Sequence, residues 1–385
     1  MQMTTNIAKA RAWLATSALP LWADVGRDRE GGGFVERLTL AGEPDPAVDK
    51  RVRVQARQVY VYSHARLLGL MQDGEQIAAE GYDFIMRHAC PDGIERGFVH
   101  LLARDGTVRD ARRDTYDHAF LLFAFSWFYR ATGREDVRAA VCTLGDFIWT
   151  ALRHPGGEGF VIDDRSLAEG GSDALHQNPH MHLFEAVLAA HEATGEQRFL
   201  DRAHELFGLF RNRMFDHDHG VLREFRDRDW RPVAGEAGRI IEPGHQCEWV
   251  WLLKRYADRI GEPIAPEAYR LHDFALRHGR TAGGVLLCDE LWIDGTVKKA
   301  SARCWPQTEA LKAEIALAEA RGQPLLPRAD AIVDALFAYY LGRPLAGAWI
   351  DHVDADGRPM VEAIPASTLY HVFLAFSEYL SCEQA

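Results

Sequence analysis

No stretch of this 385-residue chain is apolar for long enough to cross a bilayer. The greasiest runs, such as Phe120 to Phe125, fall far short of the ~20 residues a spanning helix needs. Basic charge is also scarce. The 44 lysines and arginines face 56 acidic residues, a net charge of −12, which sets the chain against nucleic-acid and anionic membrane partners and favours a neutral small molecule. The six cysteines (Cys90, Cys142, Cys247, Cys288, Cys304 and Cys382) form no CxxC pair and no dense framework, so no disulfide scaffold is expected. The opening residues, MQMTTNIAKARAW, carry charge where a secretory leader needs an unbroken apolar core. The chain therefore reads as cytoplasmic, with free thiols.

What the sequence does have is a repeat. An apolar helix of some four turns is followed by a glycine turn and a more polar helix, most clearly in AFLLFAFSWFYRATGREDVRAA and HLFEAVLAAHEATGEQRFLDRA. Turn glycines assigned at Gly74, Gly133, Gly195, Gly261 and Gly322 lie 59, 62, 66 and 61 residues apart. A sixth apolar helix, TLYHVFLAFSEYL, follows. A helix pair cannot hide its apolar face alone, whereas stacked pairs can, and closing the stack into a ring removes its exposed ends. The pattern predicts an all-α, (α/α)6 barrel of six helical hairpins filling residues 1–385 as a single catalytic domain. The long connections, several of the form strand, Asp-Gly, strand (GFVHLLARDGTVRD, VLLCDELWIDGTVKKA), predict short β-hairpins at one end.

Seventeen residues before each glycine stand Arg57, Tyr116, Asn178, Gly244 (beside His245) and Trp305, with His371 in the corresponding region of the sixth helix. Helix starts attract polar residues for capping alone. Arg, Tyr, Trp and His are not favoured cap types, however, so capping does not explain the set. These side chains are expected to meet in one cavity at the end from which all inner helices start.

Two histidines titrate near neutrality, so one can hold a proton while the other accepts one. His245 and His371 are the expected acid/base pair, and Glu248, one turn beyond His245, is placed to fix that imidazole's tautomer. Arg57, Tyr116 and Asn178 offer donors to a developing oxyanion, and Trp305 offers a face for a sugar. A divalent metal held by His180, His182, His245 and Glu248 is a weaker reading, because residues two apart on a helix face different ways. A glycoside hydrolase would need paired carboxylates, for which Glu248, Asp117, Glu242 and Glu309 are the candidates, and it leaves the histidines without a task. A non-catalytic sugar-binding barrel is a third reading.

In their order and spacing, RVQARQVYVYSHA, DTYDHAFLLFAF, QNPHMHLFEA, EPGHQCEWVWLL and RCWPQTEALKA resemble the N-acylglucosamine 2-epimerase superfamily, over residues from about Gln55 to the His371 region. The resemblance implies an (α/α)6 barrel and a sugar isomerase or 2-epimerase without metal or redox cofactor. It implies His245 and His371 as the acid/base pair, Glu248 supporting His245, and Arg57, Tyr116, Asn178, His182 and Trp305 as substrate-binding groups, His182 taking precedence over His180. The EPGHQ and WPQTE wording looks like that of bacterial mannose isomerases. A second tryptophan of cellobiose epimerases is replaced by Cys304, and an arginine of sulfoquinovose isomerase by Gly235, with Arg239 nearby as a substitute. The expected activity is aldose–ketose isomerisation of D-mannose and D-fructose, with D-lyxose and D-xylulose as smaller candidates, in a monomer or homodimer.

Overall fold

The structure, a computed structural model, describes residues 5–167, 174–281, 283–323 and 327–383. In chain order the helices are α1 (Thr5–Trp13), α2 (Leu19–Asp24), α3 (Val52–Leu67), α4 (Gly74–His88), α5 (Thr115–Thr132), α6 (Glu135–Ala151), α7 (Gln177–Thr194), α8 (Gln197–Leu209), α9 (Pro243–Ile260), α10 (Pro266–His278), α11 (Cys304–Ala320), α12 (Pro327–Tyr339) and α13 (Thr368–Ser381). The apolar members pack in sequence, α3 on α5, α5 on α7, α7 on α9, α9 on α11 and α11 on α13, and α13 returns to α3. That closed circuit is the inner ring of an (α/α)6 barrel. None of the described helices is long and apolar enough to cross a membrane.

Burial follows composition. In α5 nearly every residue from Thr115 to Phe128 is buried, because a helix greasy all round can only be an inner one. In α8 the buried residues are Phe199, Ala203, Leu206 and Leu209, one stripe at helical spacing, so that helix lies in the outer layer with its other faces wet.

Two expectations needed revision. The first turn glycine is Gly69 (φ +68°), which takes the left-handed conformation after α3 just as Gly133 (φ +67°) does after α5; Gly74 is instead the first residue of α4. The apolar run LLGLMQDG continued to the wrong glycine because Asp-Gly is itself a turn signal. The second revision concerns closure. The sixth hairpin takes its outer helix from the start of the chain: α1, joined to α2 by a π-helical turn over Leu14–Ala18, packs on α13 and α12. Trp22 of α2 stacks on Trp349 at 4.8 Å, and Arg37–Thr39 pairs antiparallel with Ala363–Pro365.

The predicted hairpins are present as Leu101–Leu102 with Val108–Asp110 and Glu290–Trp292 with Val297–Lys299. The connection 154–177 is described only in part, residues 168–173 lying outside the described residues. Each loop is clipped to the inner helix that follows it. Gln55, Gln246 and Gln307 each accept the backbone N–H and donate to the carbonyl of one loop residue: Phe34, Leu222 and Leu287 respectively. His118 and His180 accept the N–H of Phe98 and Phe160 at Nε2, both at 2.9 Å. Burial pushes both imidazoles down to about 4, which keeps that acceptor lone pair free at neutral pH. These are structural histidines.

The glycine geometry gives paired predictions. Ala at Gly133 must adopt a left-handed backbone and lowers stability by about 1 kcal/mol. Ala at Gly208, inside α8 with open space around it, raises stability by about 0.5–1 kcal/mol. Urea denaturation of the two variants checks both signs.

Candidate active site

At the N-terminal end of the inner ring lies a cavity of about 260 Å³, lined by Arg57, Tyr116, Asn178, His182, Glu242, His245, Glu248, Arg303, Trp305, Asp351, Ser367, Thr368 and His371. All eight side chains expected from the sequence are among them. They stand on two levels rather than one. Tyr116, Asn178 and Trp305 are the second residues of α5, α7 and α11, whereas Arg57, His182 and Glu248 are the sixth residues of α3, α7 and α9 and reach the cavity floor from one turn deeper. The first turns of six helices point their unpaired N–H groups and positive dipole ends at this space, which favours an anion there.

Trp305 lies between the two key imidazoles, its ring 4.8 Å from that of His245 and 5.7 Å from that of His371. Each imidazole on the wall is backed by a carboxylate. His371 Nδ1 lies 2.9 Å from Glu309 Oε1, and His182 Nδ1 lies 3.0 Å from Glu185 Oε2. Tyr370 also donates its hydroxyl to Glu185.

Behind His245 the carboxylate is not the expected one. Nδ1 donates to Glu224 Oε2 at 2.9 Å, while Glu248 points towards His182, its Oε1 3.9 Å from that Nδ1. A residue three further along a helix shares its face, but an imidazole in the first turn can look outwards to the loop that feeds the helix. Glu224 sits in that loop, fixed by the Gln177 side-chain amide at 3.0 Å and the Glu242 N–H at 3.3 Å. No helical periodicity marks such a residue, so sequence reading passes over it. Glu309 was legible only as a candidate carboxylate, and Glu185 and Lys312 gave no signal distinguishing them from ordinary helix residues.

The environments drive the histidines apart. Burial depresses His245, but Glu224 and Glu242 outweigh it and lift it to about 9. His371 is held well below its ordinary value, by burial and then by the Arg57 and Lys312 charges. These directions favour a cationic His245 and a neutral His371 at neutral pH, the His371 tautomer following from the Nδ1–Glu309 bond. Burial and the facing Glu309 push Glu248 well above the usual carboxylate range. This direction favours its protonated form, and its Oε2 has no hydrogen-bond partner among the described residues. Arg57 donates to the Tyr116 hydroxyl at 2.8 Å, and Asn178 Oδ1 is likewise unpartnered.

Other expectations resolve differently. Arg239 faces Asp294 at 3.5 Å outside the cavity and does not stand in for an arginine at Gly235; the second guanidinium in the wall is Arg303, held by Glu242 at 2.9 Å and Asp289 at 3.0 Å. Cys304 is fully buried behind the wall, so the loss of a tryptophan there says less about substrate size than its neighbour Trp305 suggested. His182, Glu185 and Glu248 bring ligand-type atoms within 4.8 Å of one another, as do Glu224, Glu242 and His245. In both sets the imidazole is already hydrogen-bonded to a carboxylate of the set, which accounts for the clustering as acid–base dyads.

Glu224→Gln is predicted to bring the His245 titration down from about 9 towards its ordinary value, because the leading cation-stabilising charge is lost. Following the imidazole shifts by NMR across the pH range checks this; an unmoved midpoint would assign the shift to Glu242.

The profile of the family described as N-acylglucosamine 2-epimerase (GlcNAc 2-epimerase) matches residues 32–375. A Rhizobium meliloti protein named mannose-6-phosphate isomerase is 38% identical over 99% of this chain and 98% of its own. A cellobiose 2-epimerase of Ruminococcus albus is 26% identical over 92% of both chains. A crystal structure titled as a D-mannose isomerase superposes with a TM-score of 0.85, covering 99% of this chain and 100% of that one, at 21% identity; at that identity the likeness speaks for the fold. The chain belongs to the N-acylglucosamine 2-epimerase family and is a sugar isomerase or epimerase of that family.

Proposed function

We propose that the protein interconverts D-mannose and D-fructose through a cis-enediol, with His371 as base and His245 as acid. The observation that carries this reading is the placement of two imidazoles on the wall of one small cavity, each with Nδ1 against a different carboxylate, in surroundings that raise one and lower the other, since groups pushed apart in this way serve as acid and base. His371 Nε2 takes the proton from C2 of the open-chain aldose. The C2–H electron pair becomes the C1=C2 bond, and O1 takes a proton from the His245 imidazolium. In the return step His371 delivers its proton to C1, the O2–H proton goes to His245, and C2 becomes the ketone. Both residues end as they began. Arg57, Tyr116 and the first-turn amides stabilise charge developing on the oxygens, and neutral Glu248 donates a hydrogen bond to the sugar.

A cavity of about 260 Å³ suits one monosaccharide. Its lining carboxylic groups, Glu242, Glu248 and Asp351, and the commitment of Arg303 to Glu242 and Asp289 favour an unphosphorylated sugar. The name of the Rhizobium relative makes mannose 6-phosphate the second substrate to test. Hydrolysis is less well served: Glu242 is ion-paired, and Asp351 accepts the Thr368 hydroxyl, which leaves no free pair of carboxylates among the described lining residues to flank a glycosidic bond.

Incubation with D-mannose in deuterated water, with NMR of the products, tests the reading. Fructose deuterated at C1 is expected. Glucose deuterated at C2 as the main product would make the protein an epimerase, and turnover of mannose 6-phosphate alone would move the substrate. His245→Ala and His371→Ala should each fold and lose turnover by at least ~100-fold; retained activity in either removes that residue from the chemistry.

A further inference from the structure

The two dyads differ in what stands behind the carboxylate. Among the described residues, Glu224 has no cationic partner other than His245 itself. Glu309 has one. Lys312, one turn along α11, is fully buried, with Nζ 2.6 Å from Glu309 Oε2 and 4.0 Å from the centre of the Trp251 ring. Glu309 is equally buried and turns its other oxygen, Oε1, to His371 Nδ1 at 2.9 Å. The result is a continuous line from ammonium to carboxylate to imidazole, ending at the cavity.

Buried ion pairs seldom repay their desolvation, and apolar side chains of similar volume stabilise a core as well or better. An ammonium enclosed directly beneath a reactive imidazole is therefore better explained by what it does to that imidazole than by stability. Burial alone would depress Lys312, yet the negative charge beside it, Glu309 foremost, holds it above its ordinary value. It is a cation at neutral pH. The other charged or titratable groups facing the His371–Glu309 dyad are Arg57 on α3, Tyr116 on α5, His182 and Glu185 on α7, His245 and Glu248 on α9, Tyr370 on α13 and Asp351 in the preceding loop. The permanent cations of the cavity besides Lys312 are Arg57, which pairs with Tyr116 rather than with Glu309, and Arg303, which is held by Glu242 and Asp289.

We infer that Lys312 is a positioning residue: its ammonium fixes the Glu309 carboxylate against His371 Nδ1 and, through it, assigns the role of base to His371 rather than His245. This rests on the acid–base reading above. Without the ammonium, the Glu309–His371 dyad holds an uncompensated negative charge and takes up a proton at higher pH, whichever of its two members carries it. His371 then competes with His245 as acid instead of serving as base.

The test is Lys312→Met, with Lys312→Gln as a second variant that keeps a hydrogen-bond donor for Glu309 while removing the charge, and Lys312→Arg as the rescue. Two readouts are taken: histidine NMR titration of the free protein, with the His371 signal assigned from His371→Asn, and the pH profile of kcat/KM on D-mannose. In the neutral variants the dyad's proton uptake and the acid limb of the profile should both move up by roughly one pH unit or more, with rate recovered at alkaline pH; in Lys312→Arg both should stay near the unmodified protein. Unmoved titrations in a folded Met or Gln variant overturn the inference. Should neither neutral variant fold, the unmodified protein still decides: a His371 that is cationic at pH 7 overturns it. A protein that titrates as expected but does not turn over mannose would sink the proposed reaction while leaving the role of Lys312 in the dyad standing.

Discussion

The structure is governed by the need to enclose apolar helices that water cannot be allowed to reach. Six helices that are greasy on nearly every side satisfy this by surrounding one another, and the alternation of inner and outer helix makes every inner one start at the same end. The active-site candidate is a consequence of that closure. Residues spread from Arg57 to His371 become neighbours because each stands within two turns of a helix start, and six helix dipoles add a field that favours negative charge where an enediol oxygen would develop. The clips made by Gln55, His118, His180, Gln246 and Gln307 tie the loops to the same helix ends, which holds the cavity's rim in register with its floor.

Within that frame the chemistry depends on inequality. Two imidazoles of the same intrinsic basicity are separated by their second partners: two glutamates face His245, whereas His371 looks at a glutamate already balanced by a buried lysine. Burial acts on both, so it cannot tell them apart; the sign and placement of the neighbouring charges can. The upward shift of Glu248 belongs to the same balance, because burial and the carboxyl groups of Glu309 and Glu185 around it favour its protonated form.

Much of this was legible in the sequence because it is periodic. The apolar helices, their number and the eight cavity side chains follow from spacing and from a family resemblance that the comparison with known proteins confirms. What escaped was aperiodic or ambiguous. Glu224 sits in a loop with no pattern to mark it. Glu248 shares a helix face with His245, which made it the natural partner on paper, yet the first turn of a helix is open to its incoming loop. Glu309 stands out only as a candidate carboxylate for hydrolysis, and Lys312 three residues on does not stand out, because spacing alone does not tell which face of a helix buried nearly all round meets the cavity. The closing helix was missed because its partner stands at the other end of the chain.

The central claim is that the cavity holds one cationic and one neutral imidazole. Neutron diffraction from crystals equilibrated in deuterated buffer near neutral pD would locate the protons directly. The account predicts deuterons on both nitrogens of His245 and on Nδ1 alone of His371. Two neutral rings, two cationic rings or the reverse assignment would contradict it.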